Sequence, residues 1–341
     1  MQSLKMEEFK IVVIGASAGG VETLIKLIEK LPKEFPAAVL IVQHLSPHRP
    51  STLPYILGRA SKLPVSAAIN SESIEPGHIY VAPPDQHLII EDGHLRLVRG
   101  PKENFSRPSV DVLFRSASVV FGSRVIGVIL SGSMGDGASG LQAIKSSGGV
   151  AIIQDPNEAI NPSMPLAAAH DVQIDAVLPV AKIADELVKL TKKPLMNMKK
   201  KKSTKKQAKK KLAEVELKQS KLQEDQLDKE GQYGTPSVFS CPDCKGVLWE
   251  IKDGDLVRFR CRTGHGYLPE VLSERQSDNI ESSLWAAMTA LEEKSSLSLR
   301  LAQKFSDIGD NNASKRFRQK SQDSLSKAEV IRQILTKEEP L

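Results

Sequence analysis

A serine sits between two glycines in Gly15-Ala16-Ser17-Ala18-Gly19, directly after the apolar run Ile11-Val12-Val13-Ile14 and ahead of the amphipathic stretch Val21 to Glu29. Four consecutive β-branched residues read as a strand buried on both faces, so the pattern is strand, tight turn, helix. The first N–H groups of such a helix are unpaired and favour negative charge, either a bound phosphate or the oxyanion of an acyl-transfer intermediate. Two chemistries compete for this turn. G-x-S-x-G is a nucleophile pattern of serine hydrolases, and a glycine-rich first turn after a strand is also a dinucleotide-binding pattern. Ser17 occupies the second glycine position of G-x-G-x-x-G. The second apolar run ends in Gln43-His44 and lacks the acidic residue a nucleotide site uses, which weighs against the cofactor.

Two further strand-like runs end on residues of the complementary kind. Val39 to Val42 leads to His44, and Val125 to Leu130 leads to Ser131-Gly132-Ser133-Met134-Gly135-Asp136-Gly137. A hydroxyl, a base to take its proton and a carboxylate to orient the imidazole are the parts of a nucleophilic triad. Singly, each residue has a plainer reading. Ser17 is an ordinary helix N-cap type, His44 a loop histidine, and Asp136 a turn residue or N-cap ahead of Ala138. Pro47 and Pro50 rule out a helical metal face pairing His44 with His48. Their common arrival at strand ends is what raises the triad above these readings.

The elements that must position them alternate. Apolar runs at 11–14, 38–42, 125–130 and 150–153 are separated by helical stretches near 21–29, 110–120 and 138–146. That alternation predicts an α/β fold, a doubly wound and mostly parallel sheet whose sites lie outside the carboxyl ends of its strands. The more polar segment Glu75 to Val98 alternates with period two around Asp92-Gly93 and predicts a β-hairpin inserted at the sheet edge.

The order Ser, His, Asp along the chain differs from that of the α/β-hydrolases, so that fold is not assigned. Residues 10–190 instead resemble the catalytic domain of the chemotaxis protein-glutamate methylesterases, the CheB family. The resemblance rests on Ile14 to Gly20, Ile41 to Pro47, Tyr80-Val-Ala-Pro83 with His87-Leu88, Arg107 to Phe114, Leu130 to Ala138 and Gln154 to Pro165. It implies Ser17 as nucleophile, His44 as base, Asp136 as its orienter, and the backbone N–H groups of Ala18 and Ser133 as oxyanion donors. It also implies a substrate, methylated glutamate side chains of chemoreceptor helices, with deamidation of receptor glutamines as a second reaction. Two positions depart from the family: Ala18 stands where Thr is usual, and Ser133 lies in a segment usually reading Thr-Gly-Met-Gly-x-Asp. A backbone donor tolerates both changes. Regulated members carry an amino-terminal receiver domain. Only ten residues precede the catalytic strand here, so control through an attached receiver is not expected.

The formal charge of +6 suggests nucleic acid until the lysines are located. Many crowd into Lys192 to Lys211, a low-complexity block with no interleaved aromatic for base stacking, and the segment reads as a solvated linker. Beyond it, Cys241-Pro-Asp-Cys244 and Cys261-Arg-Thr-Gly-His265 place two ligand pairs across a hairpin, a spacing suited to a structural tetrahedral Zn²⁺. Asn279 to Phe305 and Ala313 to Leu335 have helical spacing around Gly309 to Asn312, with Ile280, Leu284, Met288, Leu291, Phe317, Leu325, Ala328, Ile331 and Leu335 as the apolar stripe of an αα-hairpin. Acidic residues before Lys10, an apolar run soon broken by glycine, and three clustered cysteines argue against a signal peptide, a membrane span and a disulfide framework; the cytoplasm is the expected compartment.

The resulting organisation is a catalytic domain at 1–191, a flexible Lys-rich linker at 192–236, a zinc-ribbon-like module at 237–270 and a helical hairpin at 271–341, which would pack on its own chain, self-associate or bind a protein partner. The expected activity is a serine esterase releasing methanol without a catalytic cofactor, in a domain whose hydrolysis stands apart from the metal. The rival reading is a catalytically idle adaptor using the same fold.

Overall fold

A computed structural model describes residues 9–47, 50–193, 213–218, 220, 234–254 and 256–336. In chain order the first strands are β1 (Lys10–Ala16), β2 (Ala37–Gln43), β3 (Val65–Ala67), β4 (Ile79–Val81), β5 (His87–Glu91), β6 (His94–Val98), β7 (Val125–Ile129), β8 (Val150–Gln154) and β9 (Ala176–Leu178). Between them run α1 (Gly20–Ile28), α2 (Leu53–Ala60), α3 (Val110–Phe121), α4 (Ala138–Ser146), α5 (Ser163–Asp171) and α6 (Val180–Lys192). Seven strands form one sheet in the order β3-β4-β2-β1-β7-β8-β9, every pairing parallel.

The sheet is covered on both faces, which is why its central strands are apolar through their middles, between Lys10 at the start of β1 and Gln43 at the end of β2. Val12, Ile14, Val39, Ile41 and Val128 join Leu24, Leu27 and Ile28 of α1 and Ile183 and Leu187 of α6 in one core. On the other face Gly127 lies against Phe114 of α3 and Leu141 and Ile144 of α4. Ile14 registers with Ile41 on one side and Val128 on the other, so Ser17, His44 and the 131–137 loop all leave the sheet at one edge. β1 is flanked by β2 and β7, the point where the strand order reverses and a crevice opens.

The hairpin forms at the expected turn, with Asp92 and Gly93 both at positive φ (47° and 79°). It is a separate two-stranded sheet and does not extend the large one; β4, within the same expected segment, takes a parallel place beside β2. Ser116 of α3 accepts the Ile90 N–H at 3.1 Å, and Ile89 packs on Val112. The hairpin thus covers the outer side of α3.

The carboxyl-terminal module is a four-stranded antiparallel sheet of β10 (Thr235–Ser240), β11 (Val247–Asp253), β12 (Leu256–Cys261) and β13 (Gly266–Tyr267). It belongs to the same compact unit as the α/β sheet, Met1–Val271, and so departs from the expectation of a module set apart by a flexible linker. The physical reason is a buried charge network. Glu103 meets Arg115 of α3 at 2.5 Å and Arg260 of β12 at 2.6 Å, and Glu216 meets Arg258 at 2.6 Å and Arg115 at 3.4 Å. Glu216 lies in the helical residues 213–218, inside the expected linker, where Leu217 also packs on Ile89 and Val112. Of the expected Lys-rich linker 192–236, residues 194–212, 219 and 221–233 lie outside the described residues.

The second unit, Leu272–Leu341, is built by α7 (Pro269–Asp307) and α8 (Asn311–Thr336), joined at Gly309 (φ 82°). Its seam follows a seven-residue repeat through buried Met288, Ser295 and Ala302 on α7 and Ser314, Ser321 and Ala328 on α8. Ser295 and Ser321 share a hydrogen bond at 2.7 Å, and Phe305 stacks on Phe317. Small residues therefore form much of the contact, while Ile280 and Leu325 of the expected stripe face solvent. No helix among the described residues is long and apolar enough to cross a membrane.

Burial opposes ionisation of Glu103 and Glu216, yet the facing guanidiniums, Arg115 and Arg260 for the first and Arg258 and Arg260 for the second, hold both below the usual carboxylate range. With folded pKa values depressed, their contribution to stability is complete above the ordinary glutamate value of 4.5 and is lost as pH falls below it. Acid unfolding followed by Trp249 fluorescence should track that window. Arg115→Met strands two carboxylates with one fewer cation and should lower the unfolding free energy by about 3 kcal/mol in denaturant titrations.

Candidate active site

The turn after β1 is pinned from three sides. The Ser17 N–H donates to the Ser131 carbonyl at 2.9 Å, and the Ser17 carbonyl accepts from Gly20 N–H and from Gln43 Nε2, both at 2.8 Å. A Cβ on Gly15 would lie 2.3 Å from Val110, so glycine there lets α3 reach the end of β1. A Cβ on Gly132 would lie 2.9 Å from Ser17 Cβ and 2.0 Å from Met164 Sδ. The backbone of the 131–137 loop consequently rests against the serine.

His44 continues β2, its N–H donating to the Ala16 carbonyl at 3.1 Å, and its Nε2 lies 2.8 Å from Asp136 Oδ2. An ionised carboxylate only accepts, so Nε2 carries the proton and Nδ1 keeps the lone pair, the tautomer a base requires. The half-buried Ser17 hydroxyl makes no hydrogen bond among the described residues, and the bond to His44 expected from a triad is absent from this conformation. Such contacts commonly tighten only with substrate in place.

Asp136 is almost wholly buried and is solvated by the protein itself. Besides His44 it accepts from Val110 N–H at 2.7 Å, Ser109 Oγ at 2.8 Å, and Asp111 N–H and Asn104 Nδ2, each at 3.2 Å. The carboxylate therefore caps the N-terminus of α3, where helix dipole and free N–H groups favour a negative charge. Asp111, in the first turn of α3, returns the arrangement by accepting from Gly137 and Gly140 N–H at the start of α4. Burial works against ionisation of both carboxyls. At Asp136 the bond and charge of His44, with the Val110 and Ser109 donors, outweigh it and hold the pKa below the ordinary range; at Asp111 burial and the Asp136 charge push it up to about 7. The ionised member of the pair is the one facing the imidazole.

Ser109, Asn104 and Asp111 were not among the residues singled out for chemistry in the sequence. Pro108 before Ser109 signals a helix start, which marks Ser109 as a cap residue but not its partner. The buried His87 holds this cap in turn: its Nδ1 accepts the Ser109 N–H at 3.2 Å while Nε2 donates to the Pro101 carbonyl at 2.9 Å.

The N–H groups of Ala18 and Ser133 make no hydrogen bond among the described residues; Ala18 follows Ser17 directly, and Ser133 follows Gly132, which lies against Ser17. Asn161 Nδ2 steadies the second by donating to Ser133 Oγ at 2.8 Å. Beside His44 opens a cavity of ≈ 90 Å³ whose lining includes Leu45, Pro47, Phe105 and Pro108. It suits a single extended side chain and is well below the size of a cofactor pocket. His48 lies outside the described residues.

A second constellation brings Cys241, Cys244, Cys261 and His265 together, their ligand atoms all within 4.8 Å of one another. Cys244 Sγ and Cys261 Sγ are 3.6 Å apart, and His265 Nδ1 lies 3.5 Å from Cys261 Sγ. Zn–S bonds of about 2.3 Å in a tetrahedron set sulfurs about 3.7 Å apart, so the donor set fits that ion. The Cys244 N–H directed at Cys241 Sγ at 3.5 Å adds the backbone support of a metal knuckle.

The pattern of the CheB methylesterase family matches residues 12–187. A curated relative from Leptospira interrogans is 40% identical over 183 residues, 53% of this chain and 95% of that protein. One from Methanosarcina mazei is 41% identical over 190 residues, 53% of this chain and 52% of its own length, so the chain spans about half of it. The names of both contain the words protein-glutamate methylesterase/protein-glutamine glutaminase. The crystal structure of the Thermotoga maritima CheB methylesterase catalytic domain superposes with a TM-score of 0.52 at 37% identity, covering 53% of this chain and 98% of that one.

If Asp136 orients the imidazole, Asp136→Asn should turn an N–H toward His44 and enforce the wrong tautomer. Hydrolysis of an activated ester by the variant should fall by roughly 10⁴ in kcat while circular dichroism stays native.

Proposed function

Because this chain belongs to the CheB methylesterase family, we propose that it is a serine esterase removing methyl groups from esterified glutamate side chains of chemoreceptor helices, and that it deamidates glutamine at the same site. The observation that carries the reading is the Asp136–His44 pair at 2.8 Å, set beside Ser17 at the edge where β1, β2 and β7 end. The Ser17 oxygen attacks the ester carbonyl and its proton passes to His44 Nδ1. The oxyanion lies between the N–H groups of Ala18 and Ser133. Collapse of the tetrahedral intermediate breaks the bond to methoxide, which takes the proton from His44 and leaves as methanol. Water, deprotonated by His44, then attacks the acyl-enzyme and regenerates Ser17 with a free glutamate carboxylate. For a glutamine side chain the leaving group is ammonia. The narrow cleft beside His44 supports a side chain presented from a helix surface as substrate.

The Cys241, Cys244, Cys261 and His265 set would hold a Zn²⁺ in a structural role, since four protein ligands leave no open position for substrate. Its free energy of binding, on the order of 10 kcal/mol in small zinc modules, would fold a ribbon too short to bury a large core.

Purified protein incubated with methylated receptor should release methanol, and Ser17→Ala should release none above background. Elemental analysis should find one zinc per chain, and Cys261→Ser should lose it.

A further inference from the structure

The segment that follows the last metal ligand runs directly into the triad's surroundings. Gly266 of β13 bridges to Glu103 in the loop before α3, and its carbonyl accepts the Asn104 N–H at 2.9 Å. Two residues on, the Leu268 N–H donates to Asn104 Oδ1 at 3.1 Å. The other end of the same amide donates to Asp111 Oδ2 at 3.0 Å and Asp136 Oδ1 at 3.2 Å. The orientation of this buried amide is settled by chemistry, since the ionised Asp136 carboxylate needs a donor and the Leu268 N–H needs an acceptor. Asn104 is held at φ 47° and Phe105 at φ 63°, a backbone conformation the surroundings must impose. Gly266 and Leu268 are those surroundings, aided by Tyr267, whose ring packs on Phe105 and whose hydroxyl lies 3.3 Å from Cys241 Sγ. Leu268 also presses on the loop that carries Asp136: a Cβ on Gly135 would lie 2.5 Å from Leu268 Cδ1.

We propose that Asn104 is a positioning residue through which the Cys₃His ribbon holds the catalytic aspartate, so that the metal site supports ester hydrolysis without touching substrate. Resting on the esterase reading above, the inference reverses the sequence-based expectation that hydrolysis stands apart from the metal. Its steps are contiguous: His265 as ligand, the 266–268 segment, the Asn104 amide, Asp136, His44. Loss of the metal frees 266–268, Asn104 loses both of its ribbon partners, and Asp136 loses one donor and the ordered backbone of a neighbouring loop.

Asn104→Gly is the informative substitution in the full chain, since glycine accepts the positive φ and removes only the amide. Four samples are compared: wild type and Asn104→Gly, each as purified and after metal removal by a chelator. One readout is independent of turnover, the downfield proton resonance of His44 Nε2–H bonded to Asp136, assigned with His44→Gln. It should be sharp in metal-replete wild type, and weakened or shifted both in Asn104→Gly and in metal-free wild type. Metal removal should add little further change to the variant. The second readout is phosphonylation of Ser17 by a small fluorophosphonate. The rate should fall about tenfold in the variant and in metal-free wild type, with the final stoichiometry still one per chain, and zinc should restore wild type only. An unchanged resonance and rate in metal-free wild type, or a loss of stoichiometry with an unchanged rate per reactive serine, would overturn the positioning role. A resonance that responds as described in a chain whose Ser17 never reacts would support the coupling while removing the esterase reading, so the two fail separately.

Discussion

A carboxylate shut away from water must be solvated by its own protein, and much of this molecule is arranged around meeting that demand at Asp136. Isolated burial of such a charge is prohibitive, so the fold supplies backbone donors from the first turn of α3, a cap hydroxyl from Ser109, an amide from Asn104 and the imidazole of His44. The donors come from two stretches of chain, His44 after β2 and residues 104–111 leading into α3, and each stretch is placed by something larger. α3 reaches the sheet because residue 15 is glycine, and Ser109 is steadied by buried His87. The same capping is returned by Asp111 to α4. Two helices and the loop after β7 are locked together by two aspartates, and the ionised one is directed at His44.

The α/β sheet, the edge at which Ser17, His44 and Asp136 meet, and the Cys₃His cluster were legible because each depends on local pattern. Buried parallel strands announce themselves as unbroken β-branched runs, and the strand ends then point to the crevice. The surroundings of Asp136 were not legible, since Asn104 and Ser109 act at a distance in sequence and look like ordinary turn and cap residues. The helical hairpin was readable in outline, yet its seam uses serine and alanine at seven-residue spacing, and a search for large apolar residues gives Ile280 and Leu325 undue weight.

The segment 213–220 is the clearest case where composition misleads. Surrounded by lysines, it reads as solvated chain, yet its middle carries Val215, Glu216 and Leu217 into the interior. A glutamate is normally an exposure signal; here three buried arginines that Glu103 alone would not neutralise create a place for it. Arg258 and Arg260 belong to a strand and Arg115 to α3, far apart in sequence, so the matching partners cannot be paired from spacing alone.

That segment also determines where the catalytic unit ends. A chain cut after Lys193, to match the length over which the relatives align, would keep Ser17, His44 and Asp136 and still be a different object. Ile89 and Val112 would lose the Leu217 that covers them, Arg115 would be left with Glu103 alone, and Asn104 would keep its bonds to Asp111 and Asp136 with nothing seated behind it. The boundary of the family match and the boundary of the compact unit thus fall just over eighty residues apart, at 187 and 271. Domain swaps and fusions made with this protein would have to respect the second.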